Sequence, residues 1–164
     1  MKTRNLLFCT LLAGVVVACG DKAPEESDVT AAVETVAEVA AQPAALPRTA
    51  SVEGANVFFI TPTNGATISN PVAIEFGIEG MDVVKAGDNQ PHSGHHHLLI
   101  DTGLPDLGLP IPADAQHIHF GDGSTSTEIT LEPGEHTLQM LLGDHLHIPH
   151  NPPLVSDVIT VTIE

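Results

Sequence analysis

"VAIEFGIE", Val72 to Glu79, alternates apolar and polar residues with a period of two. Successive side chains of a β-strand point to opposite faces of a sheet, so this stretch predicts a strand with one buried face. The same alternation returns in "DVITVTIE" at Asp157 to Glu164. Apolar residues at helical spacing are not found around either stretch, and the sequence therefore predicts an all-β domain.

Five further stretches bring the total to about seven strands. They read "NVFFIT", "HHLLID", "QHIHF", "TEITLE" and "EHTLQMLL". Glycine and proline turns at Gly121–Gly123 and Pro133–Gly134 predict that the last three pair in succession as a meander. Seven short strands at this spacing favour an immunoglobulin-like β-sandwich, with a jelly-roll or cupin-like barrel as the alternative.

The amino-terminal segment has the form of an export signal. Lys2 and Arg4 precede an apolar run that is shorter than the roughly 20 residues of a membrane-spanning helix. The run ends in "VVAC", which resembles the lipobox of bacterial lipoproteins, where the chain is cut before the cysteine and the sulfur is lipidated. We therefore expect residues 1–18 to be a lipoprotein signal peptide and Cys19 to carry the lipid.

The segment after the cysteine differs in composition from the rest of the chain. Residues 19–54 are rich in Ala, Glu and Pro and contain no aromatic residue, so they predict a flexible, disordered tether. Residues 55–164 form the predicted β-domain. By resemblance to lipoprotein sorting, the Gly20 that follows the cysteine favours the outer membrane. The expected location is the bacterial cell envelope, on the periplasmic face and anchored to the membrane through the lipid.

The charge of the chain restricts its partners. The full sequence has a formal net charge of −16, and cleavage before Cys19 removes two basic residues and no acid, which leaves −18. Such a surface repels phosphate backbones, so nucleic acid is excluded as a partner. It favours cations and basic partners, and no protein partner can be named. Since Cys9 lies in the predicted signal and Cys19 in the lipid anchor, thiolate metal sites are excluded too.

Several motifs of the domain are similar to those of one bacterial family of exported proteins. They are "HHHLLID", "HIHFG", "PGEHTLQ", "GDHLHIPH" and "NPPLVS". On these motifs the stretch from Val57 to Ile163 resembles the family named domain of unknown function 4399. The resemblance implies one exported β-domain with a histidine-rich signature, and it implies no activity.

The histidines are concentrated in one part of the domain. All ten lie between His92 and His150. Six of them form three His-x-His pairs, namely His95/His97, His117/His119 and His145/His147. On an extended strand the two members of a pair share a face and lie about 6 to 7 Å apart at Cα. One pair and a third imidazole from a neighbouring strand would make a three-ligand site for copper or zinc.

Other polar residues near these pairs are secondary candidates. Strand alternation turns His96 away from His95 and His97, towards Leu98 and Ile100. The alternative ligands, or residues that orient a ligand, are His96, Asp101, Asp144 and His150. The competing interpretation of all these histidines is a hydrogen-bonded structural network that titrates near pH 6.5.

The motifs expected of an enzyme are not found in the sequence. No "GxSxG" turn surrounds Ser93, and no glycine-rich phosphate loop occurs. We expect no catalytic residue and favour a binding protein over an enzyme. Two functions stay open, a copper or zinc buffer or chaperone and a non-catalytic interaction module of the envelope with structural histidines.

Overall fold

A computed structural model describes residues 46–164. Its elements are β1 Asn56–Thr61, β2 Ala66–Ile68, β3 Val72–Glu79, β4 Asp82–Val83, β5 Ser93–Ile100, β6 His117–His119, β7 Ser126–Ile129, β8 Gly134–Gly143 and β9 Ile159–Ile163. The prediction of an all-β domain is confirmed, and each of the seven predicted strands is present in whole or in part. No helix within these residues is long and apolar enough to cross a membrane.

The strands form two sheets. One contains β1, β3 and β7 in the order β1-β3-β7. The other has the order β2-β9-β8-β5-β4, and β6 pairs with β5 beyond β4 along the same edge. The neighbours β1-β3-β7 and β5-β8-β9 match the A-B-E and C-F-G strands of the immunoglobulin fold. The strand order therefore favours the immunoglobulin-like assignment, which stays a prediction.

The predicted meander of β6, β7 and β8 is wrong. β6 pairs with β5, β7 pairs with β3 in the other sheet, and β8 lies between β5 and β9. The turn after β6 therefore carries the chain from one sheet to the other. Turn residues show where the chain bends but leave the partner of each strand open, because long-range packing decides the pairing.

One hydrophobic core fills the space between the two sheets. β3 contributes Val72, Ile74 and Phe76, the same face that the alternation of "VAIEFGIE" predicts. The other sheet contributes Leu98, Ile100, Leu138, Met140, Leu142, Val161 and Ile163. Their burial accounts for the alternation in each strand and makes the domain a β-sandwich.

A second, smaller apolar cluster lies on the opposite face of the β5–β8 pair. Leu99, Ile111 and Leu141 are buried there, and Val155 packs on them. Ile111 and Val155 come from two proline-rich loops, residues 102–115 and 147–156, which cover this face. All eight residues of β5 are consequently buried, so the histidines of this strand lie under protein on both faces.

The residues just before β1 are attached to the domain. Ala50 forms a parallel bridge with Asn151, and Ser51 N donates to the carbonyl of Asn151 at 3.2 Å. Arg48 Nε donates to the carbonyl of Pro149 at 2.9 Å, and Arg48 Nη2 donates to the carbonyl of His150. We call residues 48–51 the strap. They belong to the segment predicted as tether, whereas the signal peptide, Cys19 and the tether up to residue 45 lie outside the described residues.

Candidate metal centre

Strands β5 and β6 bring three of the predicted ligands together. His97 lies directly opposite His119 across the strand pair, and His95 lies two residues before His97 on the same face. His95, His97 and His119 each offer a ring nitrogen within 4.8 Å of the other two. His95 and His97 are 0% and 1% exposed, whereas His119 is exposed. The group is thus a nitrogen pocket with one side near solvent.

The spacing of the first two nitrogens fits a bound ion. His95 Nε2 and His97 Nε2 lie 3.2 Å apart. Two imidazole nitrogens that bind zinc at about 2.0–2.1 Å with a tetrahedral angle are about 3.3 Å apart. In the metal-free protein the same spacing allows one protonated nitrogen to donate to the other. The Nδ1 atoms of both rings have no hydrogen-bond partner among the described residues.

A fourth ring, that of His147, packs against this group. Its centroid lies 4.8 Å from that of His95, 4.8 Å from that of His119 and 6.0 Å from that of His97. The rings of His95, His97 and His119 are each 5.0 Å from one another. We call these four rings the imidazole cluster.

The strand geometry predicted for "DHLHIPH" is wrong. Residues 144–148 form a turn in which His147 has a φ of +66°. Asp144 builds this turn, since its Oδ1 accepts from Leu146 N at 2.8 Å and from Ile148 N at 3.0 Å. A side chain that satisfies backbone donors in this way competes with strand pairing. The turn brings His147 to the cluster, and the ring of His145 does not stack on any of the four.

Two elements outside the turn hold it in place. Ile111 N donates to the carbonyl of His147 at 2.8 Å. Thr49 Oγ1 of the strap donates to Asp144 Oδ2 at 2.7 Å. Asp144, 2% exposed, thus accepts three hydrogen bonds and acts on the backbone of the turn. The sequence contained no signal for Thr49 or Ile111, because both act through contacts between distant parts of the chain.

Two glycines leave room for the rings. A Cβ on Gly121 would lie 2.3 Å from His119 Cε1. A Cβ on Gly143 would lie 3.0 Å from His97 Nε2 and 3.2 Å from Ile111 Cδ1. Side chains at these positions would displace the rings, so both glycines belong to the site. Their positions directly after "HIHF" and "QMLL" were the only indication of this in the sequence.

Burial lowers the pKa of three rings of the cluster, those of His95, His97 and His119. Desolvation, followed by repulsion from His147 and His119, lowers the pKa of His95 to about 4. Desolvation and the neighbouring histidines lower the pKa of His97 to about 2, and desolvation also lowers that of His119. Neutral imidazole is the form that binds metals, so these rings are in the ligating state at neutral pH.

The other predicted site residues occupy different places. His117 lies on the same face of β6 as His119, and its Nδ1 donates to Asp114 Oδ1 at 2.8 Å. Asp101 is hydrogen-bonded at 2.6 Å to Nδ1 of His136, outside the cluster. His145 is half-buried in the turn. Desolvation, which raises the pKa of Asp144, and hydrogen bonds, which lower it, affect this carboxylate most. The neighbouring His145 lowers the pKa of Asp144 by a smaller amount.

His96 and His150 are buried away from the cluster. The ring of His96 lies in the sandwich core, edge-on to Phe76 at 4.7 Å between centroids, as strand alternation predicts. His150 is 0% exposed and follows Pro149, whose carbonyl is held by Arg48. Neither ring makes a hydrogen bond of good geometry within residues 46–164. Desolvation lowers the pKa of both histidines, and for His150 the nearby backbone carbonyls of Leu142 and Ser93 oppose this effect.

The fold and the cluster define the class of this chain: an all-β sandwich domain with a histidine group that could hold a metal ion. Comparison with protein families gives its membership. The model of the family described as domain of unknown function (DUF4399) matches residues 74–164. The chain therefore belongs to this family, which confirms the resemblance of the histidine-rich motifs. Comparison of this chain with curated proteins and with solved structures gives no match.

Proposed function

We propose that this protein is a lipid-anchored protein of the cell envelope that binds one transition metal ion, copper or zinc, as a buffer or chaperone. The observation that supports it most is the 3.2 Å separation of His95 Nε2 and His97 Nε2, with a His119 nitrogen within 4.8 Å of both. Three imidazole nitrogens at this spacing are the ligand set of many copper and zinc sites.

Burial and charge also support a metal site. Two polar rings with unpartnered Nδ1 atoms lie at 0% and 1% exposure, which is costly unless something compensates. A cation bound by the two Nε2 atoms would offset part of the cost of burying the rings, because each ring would gain a metal–nitrogen bond. The Nδ1 atoms would keep their unpartnered state among the described residues. The net charge of −16 attracts cations to the protein, and the exposed ring of His119 gives them a route from solvent.

Calorimetry tests the binding. Untagged protein is purified, stripped with a chelator and titrated with zinc and with copper. We expect one ion per chain with a dissociation constant below about 1 μM, and a loss of at least tenfold in affinity in His95→Ala and in His119→Ala. His92→Ala is the matched control, because this histidine is exposed in a loop and lies outside the cluster. Equal affinity in all four proteins would overturn the proposed site.

A second candidate function is a non-catalytic interaction module whose histidines are structural. The contact between the His95 and His97 nitrogens favours it, because the two rings can hydrogen-bond to each other without an ion. Absence of binding tighter than about 10 μM, a free energy near −7 kcal/mol, would favour this function.

The anchoring part of the proposal rests on the sequence of residues 1–19. Its test is the mass of the mature protein and its partition between membrane fractions of the bacterium. We expect a diacylated or triacylated amino terminus at Cys19 and recovery with the outer membrane. Cys19→Ser should release the protein from the membrane, and recovery of the variant in the membrane at the wild-type level would count against the lipid anchor.

A further inference from the structure

The ring centroids of the imidazole cluster are spaced nearly as in a tetrahedral coordination shell. Its six centroid separations run from 4.8 to 6.0 Å. Four imidazoles that bind one ion at about 2.0–2.1 Å in tetrahedral geometry place their ring centroids about 5 Å apart. Five of the six separations lie at 4.8 or 5.0 Å. Only His97 and His147 are further apart, at 6.0 Å.

We propose that His147 is the fourth ligand of the site and that the four histidines form a closed, tetrahedral centre for zinc. This inference rests on the proposed function and goes beyond it in two respects. It assigns a ligand from outside the three-nitrogen group of β5 and β6, and it selects one metal. A small shift of the turn that brings the His147 ring closer to the His97 ring, now 6.0 Å away between centroids, would complete the shell.

The geometry of the rings selects zinc over Cu²⁺. Zn²⁺ has no geometric preference from its d electrons and is bound tetrahedrally in structural sites. Cu²⁺ prefers a square-planar or tetragonal arrangement of nitrogens. In a square-planar set of four rings, the two centroid separations across the ion exceed the other four. In the cluster only the separation of His97 and His147, 6.0 Å, exceeds the others, so the spacing is nearer to tetrahedral.

The attachment of the turn supports a ligand role for His147. Its backbone is held by Ile111 on one side and by the Asp144 turn on the other, and Thr49 fixes that aspartate. Asp144 is then a positioning residue, one of the two roles that the sequence pattern allows it.

A closed shell differs from an open one in what it can do. Catalytic zinc sites keep one position for water or substrate, whereas structural and storage sites fill all four with protein ligands. With His147 bound, the ion would have no open position. The centre would hold zinc and release it when the turn moves, rather than activate a water molecule.

Cobalt substitution tests the fourth ligand directly. Co²⁺ in a tetrahedral nitrogen site absorbs intensely in the visible, and the bands shift when a ligand is exchanged. The cobalt-loaded wild type should show these bands and should not respond to added azide. His147→Gly should respond to azide and to free imidazole, which would occupy the vacated position. Glycine suits this site because it adopts a φ of +66° without strain.

His145→Gly is the matched control, since it removes a histidine from the same turn but outside the cluster. We expect it to behave as the wild type. In zinc titrations His147→Gly should lose about 10- to 100-fold in affinity and should regain part of it with imidazole. A Cu²⁺ complex that is square-planar by electron paramagnetic resonance and tighter than the zinc complex in intact protein would overturn the choice of metal.

The outcomes separate the two proposals. If the wild type binds cobalt and zinc but responds to azide, or if His147→Gly matches it in affinity and spectrum, the closed shell is wrong and the three-histidine site stands. If the wild type binds neither ion nor copper, the proposed function fails and the closed shell fails with it.

Discussion

Thr49 Oγ1 donates a 2.7 Å hydrogen bond to Asp144 Oδ2, a residue 95 positions further along the chain. This bond joins the strap to the turn that carries His147. Two backbone amides bind the other oxygen of the same carboxylate. The geometry at one corner of the imidazole cluster therefore depends on a segment that precedes the first strand.

Removing this carboxylate should loosen the turn. We expect Asp144→Ala to lower the free energy of unfolding by about 3 kcal/mol, because three donors lose a charged acceptor. Thr49→Val should cost about 1 kcal/mol and should reduce zinc affinity less than Asp144→Ala does. Urea denaturation of the metal-free proteins measures the first effect and calorimetry the second. Thr162→Val on the exposed face of β9 is the control. If it lowered the free energy of unfolding as much as Thr49→Val does, the hydrogen bond from the strap to Asp144 would not be the cause of the loss.

The close approach of Gly121 to His119 predicts a site-specific defect. The methyl group that Gly121→Ala adds would lie 2.3 Å from His119 Cε1, which is too close for two carbon atoms. The ring must swing away, so metal affinity should fall about tenfold or more while stability changes by about 1 kcal/mol or less. Gly103→Ala is matched to it, since nothing lies within 4 Å of its Cβ position. Wild-type affinity in Gly121→Ala would show that the His119 ring does not contribute.

His96 is expected to be dispensable for metal binding and costly for stability. Its two ring nitrogens are buried without a hydrogen-bond partner in the described domain. We expect His96→Leu to raise the free energy of unfolding by about 1–2 kcal/mol, because an apolar side chain suits the contact with Phe76. Zinc affinity should not change. A tenfold loss of zinc affinity in this variant would show that His96 takes part in metal binding.

The buried histidines set the sign of the pH dependence of the metal-free protein. The pKa of His95 and of His96 falls from 6.5 in the unfolded chain to about 4 in the folded one, and that of His97 to about 2. Below pH 6.5 the unfolded chain therefore binds more protons, and stability falls as the pH drops from 6.5 towards 4. Denaturation midpoints between about pH 7 and about pH 4.5 measure this.

One histidine opposes that trend. His136 donates to Asp101 Oδ2 and to the carbonyl of Glu132, and these bonds raise its pKa. Its contribution to stability is fully present below pH 6.5 and is lost as the pH rises through the raised value. His136→Gln should therefore make the acid destabilisation steeper. A metal-free protein whose stability is flat or rises on acidification would contradict the neutral, buried state of His95, His96 and His97.

Much of the fold and part of the site follow from local patterns. The alternation of "VAIEFGIE" correctly places Ile74 and Phe76 in the core. The same rule separates His96 from His95 and His97, and that separation is what the structure has. These predictions succeed because the direction of a side chain on a strand depends only on its neighbours along the chain.

The rest depends on contacts between distant residues. Turn residues after β6 did not reveal that β7 joins the other sheet, because pairing is decided by packing across the sandwich. The turn at His147 was missed because Asp144 satisfies two amides that a strand would pair with another strand. The role of Thr49 was hidden because composition alone gives its segment the character of a linker.

Gly94 has a consequence for how the chain finds its alignment. A Cβ at this position would lie 2.6 Å from the carbonyl oxygen of Gly143 and 2.9 Å from the Leu142 side chain. The three histidines and two leucines that follow it look nearly the same after a shift by one residue, which would exchange the core and cluster faces. Such a slip would force Ser93 or His95 into a space that admits only hydrogen. Gly94, the smallest residue of β5, therefore fixes the register in which this repetitive strand pairs with β8.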